Sequence, residues 1–116
     1  MARYTHYYKV QPPSVKELPE LIARLLAQCG LQLTYKTEDY VMGQETTGQV
    51  PFNQLVKVEV LIHKSDMQGG VVKLTCVCKN GGLQLQSSNH CQAVADRLDK
   101  SFQEYGAWRF VQKLNE

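Results

Sequence analysis

The stretches LVKVEVLIH (residues 55–63) and VVKLTCVCK (residues 71–79) decide the fold. In the first, Val56, Val58, Val60 and Ile62 fall on one face, and Leu55, Lys57, Glu59, Leu61 and His63 on the other. In the second, Val72, Leu74, Cys76 and Cys78 oppose Val71, Lys73, Thr75, Val77 and Lys79. A period of two in β-branched residues marks a strand with one buried face. Two such strands in succession, with residues 65–70 read as the loop between them, predict an antiparallel sheet covered on one side only.

Upstream the pattern continues. Residues 3–10 set Tyr4, His6, Tyr8 and Val10 against Arg3, Thr5, Tyr7 and Lys9, an aromatic-rich strand stopped by Gln11-Pro12-Pro13. Proline cannot donate to a ladder and keeps its predecessor out of the helical region. Ser14-Val15-Lys16-Glu17 fits a capping box, followed by apolar Leu18, Leu21, Ile22, Leu25, Leu26 and Cys29 at helical spacing, with Gly30 as the left-handed stop. Pro19 conflicts with a start at Ser14 and offers Leu18 as the alternative. Residues 31–36 and 40–45 read as a hairpin around Thr37-Glu38-Asp39, with Leu31, Leu33 and Tyr35 turned inward. Residues 46–52, holding Gly48 and Pro51, are a connection.

Downstream, Asn80-Gly81-Gly82 predicts a turn and residues 83–86 a short strand. Ser87 or Ser88 caps a second helix with Cys91, Val94, Ala95, Leu98, Phe102 and Tyr105 on its apolar side, ended by Gly106. Residues 107–114 place Ala107, Phe110, Val111 and Leu114 on one side of a short third helix, with Trp108 peripheral.

These readings combine into a single α+β domain over residues 1–116. Its form is a two-layer sandwich in which an antiparallel sheet of about five strands is covered on one face by two main helices, in the order β-α-β-β-β-β-(β)-α-(α). The core expected is Tyr8, Leu21, Leu25, Leu33, Val58, Val60, Leu74, Cys76, Val94, Leu98 and Phe102. Each large apolar side chain contributes roughly 1.5 to 3 kcal/mol on burial, which suffices for a chain of this size without staples. With 43% apolar and 21% charged residues the composition is globular rather than disordered. No window approaches the ~18 consecutive apolar residues of a membrane span, and the first thirty residues lack a secretory pattern, so a cytoplasmic location and reduced cysteines are expected.

The formal net charge of +2 is too small to name a partner, and its distribution matters more. The uncovered sheet face collects Arg3, Lys9, Lys36, Lys57, Lys73 and Lys79 with Tyr7 among them, against Glu59 alone. Lysines on exposed strands also serve solubility and guard edges. Read functionally, these residues form a docking surface for something acidic. Single-stranded nucleic acid would need stacked aromatics, and only Tyr7 is placed for that.

Other chemistries find little support. Cys76-x-Cys78 and His90-Cys91 do not match the ligand spacing of zinc sites. Cys91 near a helix start with His90 or His63 as base is the best enzyme reading, yet adjacent helical residues point about 100° apart, so His90 is badly aimed. Asp96 and Asp99 read as solvated helix charges. No cofactor is expected. The expectation is a small non-enzymatic binding or adaptor protein that engages an acidic protein partner through the basic sheet face or an edge strand, with a homodimer as one form of that pairing. The alternative is a carrier of an apolar small molecule in a cavity lined by Tyr4, Tyr8, Tyr35 and Phe102. Single-stranded nucleic-acid binding is third.

Overall fold

The computed structural model describes residues 2–46, 48, 51, 54–81 and 90–115, the side chain of Asp66 excepted. The elements are β1 (Ala2–Gln11), a 3-10 turn (Val15–Glu17), α1 (Leu18–Gln28), β2 (Leu31–Lys36), β3 (Tyr40–Glu45), β4 (Lys57–Gln68), β5 (Val71–Asn80), α2 (His90–Glu104) and β6 (Arg109–Leu114). The strands form a six-stranded sheet in the order β2-β3-β4-β5-β1-β6, with every pairing antiparallel. Two helices pack on one face, giving the two-layer α+β arrangement. The expected strand at residues 83–86, the cap at Ser87 or Ser88 and the end of the turn at Gly82 lie outside the described residues.

The interior is built from the period-two and period-3.6 stripes meeting each other. Strands bury Tyr8, Val10, Val41, Val58, Val60, Val72, Leu74, Cys76 and Cys78, while α1 buries Leu18, Leu21, Ile22, Leu25 and Leu26, and α2 buries Cys91, Val94, Ala95, Leu98 and Phe102. Tyr8 stacks on Phe102 with ring centroids 4.8 Å apart, joining the centre of β1 to α2. Among the described residues no buried side-chain nitrogen or oxygen lacks a hydrogen-bond partner.

Several expectations are corrected. Among the described residues the sheet has six strands, slightly more than the five or so expected, because residues 109–114 form β6 against β1 instead of a third helix. Trp108 is 6% exposed, its indole N–H donating to the Phe102 carbonyl at 3.1 Å, so it anchors the entry to β6 rather than lying at the periphery. Ser14 makes no side-chain cap, and its carbonyl instead accepts from the Glu17 N–H at 3.1 Å. The helix starts at Leu18, which places Pro19 in the first turn, where a missing N–H removes no helical bond. Residues 65–68 continue β4, and the turn is the pair Gly69-Gly70 at φ 62° and 79°, the left-handed geometry of a two-residue hairpin.

Leu33 leaves the core list: it stands on the outermost strand and is 44% exposed. Beyond it the strand slips. Leu33 pairs with Gly43 but Tyr35 pairs with Met42, so Thr34 is an extra residue and the following side chains change face. Tyr35 therefore joins the outer face, 56% exposed and edge-on to Tyr40 at 5.9 Å, rather than turning inward.

Candidate functional site: the open face of the sheet

Register fixes which side chains share the outer face. Arg3 pairs with Lys79 and Lys79 with Lys57, so three cations stand side by side across β1, β5 and β4. Lys9 pairs with Lys73 and Lys73 with His63, a second basic row across the same strands. Lys73 and Lys79 are separated by six residues of strand, about 20 Å at a rise of roughly 3.3 Å per residue. Between the rows lie Thr5, Val77 and Glu59, then Tyr7, Thr75 and Leu61, with Met42 and Tyr40 continuing them on β3. Val77 is only 4% exposed although it points away from the helices.

Local contacts agree with that grid. Lys79 Nζ lies 3.1 Å from Glu59 Oε1, one pair along the ladder. Lys73 Nζ stands 5.5 Å from the centre of the Tyr7 ring, a cation–π contact. His63 Nε2 and Thr75 Oγ1 are 2.7 Å apart. The Tyr40 hydroxyl is held above its ordinary range, first by partial burial and then by its hydrogen bond to Glu59. No described element lies across this face.

Of the residues expected there, Arg3, Tyr7, Lys9, Lys57, Lys73 and Lys79 come together. Lys36 does not. The extra residue at Thr34 swings it to the helix side, where its ammonium meets Glu20 Oε2 of α1 at 2.7 Å. Like charges placed directly across a ladder destabilise it by a few tenths of a kcal/mol or more, and the Glu59 carboxylate beside Lys79 offsets part of this in the first row.

The helix side holds a second polar cluster around Asp99, a residue whose place on the polar side of α2 predicts only solvated charge. Asp99 on α2 accepts from the Tyr8 hydroxyl at 2.6 Å and from Lys113 Nζ at 3.0 Å, with His6 Nδ1 3.9 Å away. Burial would raise the Asp99 carboxyl, but the hydrogen bonds from Tyr8 and Lys113 outweigh it and its pKa is lowered. Tyr8 is pushed far up by burial and by donating to Asp99. The only sequence signal for the cluster is that Asp99 follows Leu98, next to the apolar stripe.

All four cysteines are buried and free of disulfides. Burial pushes the Cys91 thiol up to about 12, and His90 points to Glu45, 2.8 Å away, not to the sulfur. Cys76 is raised by its hydrogen bond with Cys78 and by burial. Among the described residues no group of three or more His, Cys, Asp or Glu is gathered for a metal. Of the aromatics expected to line a cavity, Tyr8 and Phe102 stack on each other and Tyr35 is outside. Among the described residues no helix is long and apolar enough to cross a membrane.

No family model matches the chain, and no curated protein matches it in sequence.

Proposed function

We propose that this protein is a small non-enzymatic binding module of the cytoplasm that engages an acidic protein partner through the open face of its sheet. The observation that carries this reading is the side-by-side alignment of Arg3, Lys79 and Lys57, repeated by Lys9 and Lys73, on the face that no described element covers. An acidic counter-surface relieves the repulsion within each row and steers association. The strip between the rows, with the half-buried Leu61 and Tyr7, supplies apolar contact area. A nucleic acid would be served less well, because Tyr7 already stands beneath Lys73 and Tyr35 and Tyr40 meet edge to face rather than as a stacking platform.

A photo-crosslinking residue in place of Thr75, in cells that make the protein, tests this. Capture of one acidic protein is expected, lost in Lys57→Glu/Lys79→Glu and not reproduced from Gln103 on α2. Equal capture from both positions, or capture unchanged by charge reversal, would refute it, and a recovered nucleic acid would replace protein as the partner class.

A second reading concerns self-association through β2, one of the two edge strands of the described sheet, which exposes Leu33 and Tyr35. Unpaired edges with apolar side chains invite pairing with a second copy. Sedimentation analysis of the wild type against Leu33→Lys tests it, a monomer at all concentrations being the contrary result.

A further inference from the structure

Two strand irregularities sit at the same height on either side of the β5–β1 pair. On one side His63 pairs with Lys73 but the next pair is Gln68 with Val71, so β4 places residues 64–67 against Val72 alone. On the other, Lys9 pairs with Gln112 and Val10 with Phe110, leaving Val111 as an extra residue in β6. Bulges of this kind bend a strand and re-aim its side chains. Here they raise two walls over a floor two strands wide.

The result is an open trough of about 690 Å³ on the outer face, with Lys9 and Lys73 on its floor, Ser65 and Met67 on one wall and Val111 and Leu114 on the other. That volume falls in the range of small-molecule sites. Lys9 and Lys73 are direct cross-strand partners, so their Cβ atoms stand about 5 Å apart and both ammonium groups can reach one anion.

We infer that the trough binds a phosphate monoester carrying a short apolar body. A phosphate monoester bears close to two negative charges at neutral pH and has three acceptor oxygens, matching two ammonium donors better than a monoanion does. The apolar body lies along Met67, Val111 and Leu114. Val111 is 37% exposed, an apolar side chain held in the open at the rim. The site shares Lys9 and Lys73 with the proposed docking face, but it needs neither Arg3, Lys57 nor Lys79 and is assayed on the isolated chain.

Titration of isotopically labelled protein with octyl phosphate, octanoate, inorganic phosphate and octyl glucoside, followed by amide and methyl NMR shifts, tests the inference. Octyl phosphate should bind most tightly, with saturable shifts confined to Lys9, Ser65, Met67, Lys73, Val111 and Leu114. Replacing both lysines, Lys9→Met/Lys73→Met, removes two charge-assisted hydrogen bonds and should weaken binding by about tenfold or more, whereas Lys57→Met/Lys79→Met should stay within about twofold. Val111→Asp, an exposed substitution that keeps both lysines, should also weaken it. Shifts spread evenly over both basic rows, octyl glucoside or inorganic phosphate binding as tightly as octyl phosphate, or full binding by the Lys9/Lys73 double variant would overturn the proposal.

Discussion

The Tyr8 hydroxyl donates to Asp99 Oδ1 at 2.6 Å across the junction of β1 and α2, with the Tyr8 ring fully buried against Phe102. Lys113 of β6 reaches the other Asp99 oxygen at 3.0 Å, so a single carboxylate joins strand, helix and last strand. Tyr8→Phe keeps the stacking and deletes the donor to a charged acceptor, which should cost about 1 to 3 kcal/mol in urea unfolding. Asp99→Ala should cost more, because it leaves a buried hydroxyl without an acceptor. Equal stability of Tyr8→Phe and wild type would show that the hydrogen bond contributes nothing net.

Stability should fall with acid in two limbs. Burial lowers the His6 pKa below its ordinary 6.5, only partly opposed by Asp99. Above 6.5 His6 is neutral whether folded or not, and below it the unfolded chain takes the proton first, so stability declines until the pH passes the lowered folded value. Asp99 is likewise lowered, from 3.8, so its contribution is present above that value and is lost as the pH falls through the folded one. His6→Gln should flatten the upper limb. Asp99→Asn should shrink the lower limb without abolishing it, since Glu20, hydrogen-bonded by Lys36, is lowered too. A melting temperature that tracks pH identically in wild type and His6→Gln would contradict the assignment.

Alternation and helical stripes were enough to place β1 to β5 and both helices, because all but β2, which buries Leu31 alone, set one face against the core. What they could not reveal were extra residues inside strands. The bulge at Val111 makes Phe110 face the core beside an outward neighbour and leaves apolar residues at 107, 110, 111 and 114, a spacing that imitates a helix. The bulge at Thr34 similarly carried Tyr35 and Lys36 to the faces opposite those read from strict alternation. The basic rows were legible because β1, β4 and β5 run regularly through Arg3–Lys9, Lys57–His63 and Lys73–Lys79. The Tyr8–Asp99 contact was not, since it joins residues 91 apart in sequence.

Gly43 is required for space rather than for its backbone. A Cβ there would meet Leu26 Cδ1 at 3.2 Å and the Gln32 carbonyl oxygen at 3.4 Å, and Leu26 is fully buried. Gly43→Val therefore presses on the Leu26 side chain and should cost about 1 to 3 kcal/mol despite valine's preference for strands. Leu26→Ala opens room, so the double variant should be less unstable than the sum of the two single ones. Additive losses by denaturant titration would argue against the clash.

The thiols should be inert while the fold is intact. All four cysteines are buried, and both Cys76 and Cys91 are held above the ordinary thiol range. Iodoacetamide at neutral pH should leave the native mass unchanged and add to all four only in denaturant. Alkylation of Cys91 under native conditions would reopen the case for a reactive thiol at the start of α2.

Charge reversal on the open face should separate stability from binding. Lys57 is exposed and stands directly across from Lys79, which in turn stands across from Arg3. Lys57→Glu turns a like-charge pair into an opposite-charge pair and should raise the stability of the isolated protein by a few tenths of a kcal/mol. The same change should weaken capture of the acidic partner, and raising salt should shrink both effects together. A residue that merely solubilises the surface would show neither loss of capture nor a gain on reversal. If Lys57→Glu lowers stability while leaving the crosslink from position 75 intact, repulsion within the row is not being held in reserve for a partner, and the basic face loses its functional reading.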